Sequence, residues 1–208
     1  MTIPAWFRRL HRIAPLLLLA TPLVAQQPKG PPAPALLVAP LAGLSVPVLP
    51  VGYLVADSGT SPALPAGLRA RLRWADSLIG EVLQGRGPEV SWLLPDELRR
   101  VARRAPGTVS DPDRMGQGML RAEGFKRIPD PLFSQLRALA AMTNARQVMI
   151  PAAVRFTTVP QGVRAEVVLV LGDARNGALL WRSTPSAVAA TPAEALSAAM
   201  AKVLPDFN

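Results

Sequence analysis

The chain has no cysteine, and its single histidine is His11, near the amino terminus. Disulfides, thiol nucleophiles and zinc, copper or iron sites built on Cys or His are therefore excluded from everything that follows His11. A Ser-His-Asp or Cys-His catalytic arrangement is excluded there for the same reason. Lysine is scarce: only Lys29, Lys126 and Lys202 occur, and none lies three residues after a serine, as a Ser-x-x-Lys site requires. Asp111 and Asp113 in "DPDR" are a fragment of a calcium loop that lacks the remaining oxygen ligands and the closing Glu. No metal and no cofactor is expected. What stays open is carboxylate-pair chemistry, or binding without reaction.

What is present begins with "MTIPAWFRRLHRIAPLLLLATPLVAQQ". Arg8, Arg9 and Arg12 precede the apolar run Ile13 to Ala25, which ends in a small-x-small pattern at Ala25. This is the pattern of a secretory signal peptide, 1–25, cut after Ala25. The apolar run contains Pro15 and Pro22 and is shorter than the roughly 20 residues a spanning helix needs, so the mature chain is not expected to span a membrane. From Gln26 onward there are 20 basic and 14 acidic residues, a net charge of +6. Export and the lack of aromatics interleaved with the basic residues argue against nucleic acid as a partner.

Residues 26–44 hold Pro28, Pro31, Pro32 and Pro34 and read as a proline-rich linker. Residues 45–208 form one domain. Val48 to Val55 reads as a buried strand. The stretch from Leu68 has Leu68, Leu72, Ala75, Ile79 and Val82 in one helical stripe, with Arg69, Arg73 and Asp76 to one side. "EVSWLL" is a short strand, and Pro95 opens a helix with Asp96 and Glu97 in its first turn and Arg103 and Arg104 in its last. Thr108 to Ile128 shows no clear period beyond one short helix around Arg114 to Arg121. Asp130-Pro131 starts a helix whose inner stripe is Leu132, Leu136, Leu139 and Thr143. Three strands follow, the first interrupted by Pro151, and Thr191 with Glu194 gives a capping box for a C-terminal helix. The order predicts an α/β fold: a single domain with a mixed parallel and antiparallel sheet and packed helices.

Two groups of residues are candidates for function. In "DELRRVARR" the apolar Leu98, Val101, Ala102 and Ala105 share one side, and Arg99, Arg100, Arg103 and Arg104 fill the opposite face. Four guanidiniums on one face suit a lipid head group, an anionic glycan or an acidic partner, against the ordinary alternative of a solvated surface. In "LVLGDARNGALLWRS" the turn is either a two-residue loop at Asn176-Gly177 or a four-residue loop, Ala174 to Gly177, closed by Asp173. Either register puts Trp181 on a face with Val168 and Val170, and Leu180 on the face of Leu169 and Leu171. Asp173 then serves the turn rather than a reaction.

The hairpin, with "VPVLPVGYLV" early, "VMIPAAVRF" late and a terminal helix, resembles the exported α/β domain of the TolB amino-terminal and CsgG-type group. There an Asp-x-x-(Thr/Asn)-Gly turn followed by Trp recurs, matched here by Asp173, Asn176, Gly177 and Trp181. The resemblance implies a non-catalytic module of the cell envelope that binds or assembles with an envelope protein. The chain lacks that group's lipid-attachment cysteine, the propeller repeats and the amphipathic strands of a pore. The expected function is thus an exported binding or assembly module, in the periplasm or outside the cell. The alternative is an exported hydrolase relying on carboxylates only.

Overall fold

The computed structural model describes residues 34–36 and 38–204. The expected signal peptide and the first part of the proline-rich stretch lie outside the described residues. In order the elements are β1 (Ser45–Pro47), β2 (Leu54–Ala56), α1 (Leu68–Arg86), β3 (Ser91–Leu93) and α2 (Pro95–Arg104). They continue with α3 (Leu132–Thr143), β4 (Gln147–Val159), β5 (Gly162–Asp173), β6 (Leu179–Ser183), β7 (Ser186–Ala189) and α4 (Pro192–Ala201). β2 runs parallel to β4, β4 is antiparallel to β5, and β6 and β7 both pair antiparallel with β5. β1 runs parallel to β3 and is joined to β4 through the bridge Val48↔Met149. The mixed sheet, the packed helices and the C-terminal helix are those expected of an α/β fold.

Alternation along β4 and β5 sends neighbouring apolar side chains to opposite faces, and each face carries its own core. On one face Val154, Phe156, Val167 and Leu169 pack with Ile79 and Leu83 of α1 and Leu196 and Met200 of α4. On the other, Val148, Ile150 and Val170 pack with Leu132, Leu136 and Leu139 of α3 and Leu98 of α2. The helix starts are fixed locally. Thr191 Oγ1 accepts the Glu194 N–H at 3.3 Å while Glu194 accepts the Thr191 N–H at 3.2 Å, closing the capping box of α4. Glu97 accepts the Leu94 N–H at 3.2 Å ahead of α2, and Asp130 accepts both the N–H and the hydroxyl of Ser134 in α3.

Four expectations are corrected. Val48 to Val55 is not one strand: β1 and β2 are separated by residues 48–53, where Gly52 meets Gly118 so closely that a Cβ on Gly52 would lie 2.4 Å from the Gly118 nitrogen. The proline-rich stretch is not wholly a linker, because Leu36, Val38 and Leu41 are buried in the first core and the Leu36 N–H bonds Val203 O at 2.8 Å. The inner side of α1 is rotated from the expected stripe: Leu68 is 62% exposed, while Asp76 and Leu83 are buried.

The fourth correction concerns the hairpin. Its loop is the four-residue alternative, with the Asp173 N–H bonded to Ala178 O at 2.9 Å and Gly172 opposite Leu179. Leu180 is then an extra residue, so that Leu171 faces Trp181. This one-residue bulge reverses the parity beyond it. Trp181 packs with the face of Leu169 and Leu171, its Nε1–H donating to Ala35 O at 3.1 Å, and Leu180 is 47% exposed. Trp181→Ala is therefore expected to lower stability by roughly 2–3 kcal/mol and Leu180→Ala by less than about 0.5 kcal/mol. Urea-unfolding midpoints read the difference; equal losses would show that Leu180, too, is packed inside.

Candidate functional site

The polar feature of the interior lies between α1 and α2. Asp76 sits on the inner side of α1, where burial desolvates its carboxylate. Two donors answer it: the Val51 N–H reaches Oδ1 at 2.7 Å, and Arg99 Nη2 of α2 reaches Oδ2 at 2.8 Å. The remaining Arg99 donors turn to other carboxylates. Nη1 bonds Asp96 Oδ1 at 2.8 Å, and Nε and Nη2 fork onto Asp113 at 3.0 and 2.6 Å. Asp113 belongs to a short 3-10 turn, Pro112–Arg114, and its own N–H is capped by Asp111 Oδ1 at 3.1 Å. Gln117, also buried, donates to Pro50 O at 3.0 Å and Pro112 O at 3.1 Å, tying the same segment to the break between β1 and β2.

The charges respond to this placement. Desolvation raises the Asp76 carboxyl from 3.8 to about 6, against the lowering effect of the Val51 N–H and Arg99. The fork from Arg99 holds the Asp113 carboxyl below its usual range, and the charges of Arg73 and Arg69 act in the same direction. Arg99 itself is held more firmly protonated by Asp113 first and then by Asp76 and Asp96.

Above this cluster a groove of about 350 Å³ opens, lined by Arg69 and Arg73 of α1, Arg99, Ala102 and Arg103 of α2, and Val109, Asp111 and Asp113. Arg69, Arg73 and Arg103 are exposed, and among the described residues their guanidiniums form no ion pair. The basic face expected on α2 is thus divided. Arg99 is 8% exposed and belongs to the buried cluster rather than to the surface. Arg100 faces solvent and pairs with Glu97 at 3.6 Å, Arg103 lines the groove, and Arg104 is exposed outside it.

Arg69, Arg73 and Asp113 also line the groove, and Asp76 lies beneath it; the sequence pattern offers Asp113 only as part of an incomplete calcium loop and gives Arg69, Arg73 and Asp76 no site role. A signal for Asp76 was present in the sequence: Leu72, Asp76, Ile79 and Leu83 form an equally good helical stripe, and an acid in an apolar stripe calls for a cation.

The hairpin residues stay apart from this groove and act locally. Asp173 is 2% exposed; Oδ1 accepts the N–H groups of Arg175 at 2.7 Å and Asn176 at 3.3 Å, and Oδ2 accepts Arg146 Nε at 3.2 Å. Burial raises its carboxyl, but these donors outweigh burial and the net shift is downward. Asn176 Oδ1 accepts the Ala178 N–H at 2.8 Å, and Gly177 has a φ of 75°, in the left-handed region. Among the described residues no group of three His, Cys, Asp or Glu side chains is placed to hold a metal ion. No helix among them is long and apolar enough to cross a membrane.

No family model matches the chain, and no curated protein does. Solved structures give likenesses of low identity. The LpoB C-terminal domain from Salmonella enterica is 14% identical with a TM-score of 0.44, over 71% of this chain and 84% of that one. A PelC dodecamer from Paraburkholderia phytofirmans is 18% identical with a TM-score of 0.42, over 83% and 90%. The NMR structure of Escherichia coli LpoB is 14% identical with a TM-score of 0.40, over 88% and 81%. None of these is a TolB or CsgG domain, and at these identities and scores the likeness carries no functional conclusion for this chain.

The raised Asp76 carboxyl fixes the sign of a pH effect. Between pH 3.8 and about 6 the folded state binds a proton that the unfolded chain has released. This group's contribution to stability therefore grows as pH falls through 6, by about 3 kcal/mol in full. Asp113 works the other way: its contribution is present above 3.8 and is lost as pH falls through its lowered value. Asp76→Asn should remove the gain between pH 6 and 4 in thermal melts. Arg99→Leu should cost roughly 3–5 kcal/mol at pH 7, where Asp76 loses its cation and must stay charged in a buried site or take up a proton, and less at pH 5, where Asp76 is already largely protonated. A pH-independent loss would show that the pair is not coupled.

Proposed function

We propose that the chain is an exported, non-catalytic binding or assembly module of the bacterial cell envelope, engaging an anionic partner in the groove between α1 and α2. The observation that carries this reading is the contrast between tied and free charge. Arg99 is saturated by three carboxylates, while Arg69, Arg73 and Arg103 stand around the groove without an ion pair among the described residues. Saturated charges hold a wall in place, and unsatisfied ones on a fixed wall suit recognition. The amino-terminal signal pattern supports export, and the lack of cysteine and of histidine beyond His11 narrows the chemistry open to the mature chain.

The carboxylate-only hydrolase has one observation in its favour. Asp76 and Asp113 contact the same Arg99 nitrogen, and their carboxyls shift in opposite directions, as an acid and base pair would. Yet Asp76 does not line the groove, and both of its oxygens are engaged by Val51 and Arg99. An acid with no face toward a substrate cannot protonate it.

Expression in a bacterial host should yield an exported chain that begins at Gln26, read by intact mass. A photo-cross-linking residue placed at Arg73 or Arg103 should give a defined adduct in the envelope. The same residue at the exposed Met142, outside the groove, should not. A partnerless monomer under these conditions would sink the binding reading.

A further inference from the structure

The groove continues onto an apolar surface. A second, shallower hollow of about 640 Å³ is lined by Ala66, Gly67, Leu68, Arg69, Ala70 and Arg73, so Arg69 and Arg73 are shared by both. Leu68, at the head of α1, is 62% exposed, the largest exposure among the large apolar residues described. Ala66, Gly67 and Ala70 beside it are small, so the leucine stands as a knob next to Arg69 and Arg73, which form no ion pair among the described residues. Ala102 and Val109 add apolar wall on the groove side.

The same lining argues about the charge density of the occupant. Asp111 and Asp113 share the groove with the arginines. Asp113 is already compensated by Arg99, whereas Asp111 is exposed and its carboxylate accepts the Asp113 N–H and forms no ion pair among the described residues. A dense polyanion, such as a sulfated glycan or a cluster of phosphates, would meet that carboxylate as well as the arginines and be repelled by it. Neither lining contains an aromatic ring on which a sugar face would stack. Separate carboxylates on an extended chain avoid Asp111 by spacing, and apolar side chains between them cover Leu68.

Resting on the reading of the groove as a binding site, we infer that its occupant is an acidic protein segment with interspersed apolar side chains. Its carboxylates meet Arg69, Arg73 and Arg103, and an apolar side chain packs on Leu68. Affinity then has two separable parts, one screened by salt and one not.

The test uses the exported full chain and four probes: a labelled dodecapeptide alternating Glu with Leu and Phe, polyglutamate of the same charge, heparin, and phosphatidylglycerol vesicles. Fluorescence anisotropy, competition and co-sedimentation read binding. The mixed peptide should bind at least ~10-fold more tightly than polyglutamate, and Leu68→Ser should weaken the peptide about fivefold while leaving polyglutamate unchanged. The pair Arg73→Glu and Arg103→Glu should weaken both peptides by more than ~10-fold, with the melting temperature retained because both side chains are exposed. Heparin, vesicles or polyglutamate binding as tightly as the mixed peptide would overturn the inference, as would indifference to Leu68→Ser. If the peptide shows no preference while the envelope cross-link at Arg73 persists, the segment is wrong and the groove stands. Absence of that cross-link, with the photo-reactive residue at Arg73 and at Arg103 alike, removes both.

Discussion

Arg99 is the point at which separate parts of the chain are held together. Its guanidinium reaches Asp76 of α1, Asp96 at the start of its own helix and Asp113 of the irregular segment. Asp76 in turn takes the Val51 N–H from the break between β1 and β2. Asp76 and Arg99 are the two buried charges, each costly to bury alone, and losing either leaves the other without its buried partner. The segment from Thr108 to Ile128 has only short 3-10 turns, so its position rests on such side-chain anchors, with Gln117 reaching Pro50 O and Pro112 O. The groove inherits its shape from this arrangement, because α1, α2 and the 3-10 turn that wall it are the elements the cluster joins.

The sheet supports this from below through two irregularities. Ala152 is an extra residue beside Pro151 in β4, where proline has no N–H to give to the ladder, and Leu180 is an extra residue in β6. Each reverses the alternation of its strand, and each is what sends the right side chains to the right core. Beyond the first, Val154 and Phe156 join the core of α1 and α4, although Val148 and Ile150, also even-numbered, pack against α3. Beyond the second, Trp181 joins the core with Leu169 and Leu171. The two layers of helix are thus built on one sheet whose faces exchange residues part way along.

Charge is distributed by the same logic. Paired charges are gathered where backbone must be fixed: at Arg99, and at the hairpin, where Arg146 adds to the backbone donors on Asp173. Asp57 does comparable work for the far end of β4, where N–H donation by Thr158 and then Thr60 lowers its carboxyl to about 2. Arg69, Arg73 and Arg103, exposed and without an ion pair among the described residues, surround the groove. That separation, rather than the number of arginines, is what the proposed binding role rests on.

Local chemistry made much of this legible from the residues alone. The capping box at Thr191 and Glu194, the proline opening α2, the stripe of Leu132, Leu136 and Leu139, and the turn carboxylate of Asp173 all act within a few positions of themselves, so spacing is enough to reveal them. The α/β class follows from the order of such elements. What spacing could not supply were the effects of contact between distant segments. A bulge changes parity by a single residue, and the turn chemistry ahead of it carries no sign of that. Arg99 looks like its neighbours on the helical wheel until Asp76 and Asp113 arrive from 23 residues before it and 14 after. The basic face was therefore visible in the sequence. Which of its arginines are free to bind was decided by packing, because only the folded chain brings a carboxylate close enough to claim one of them.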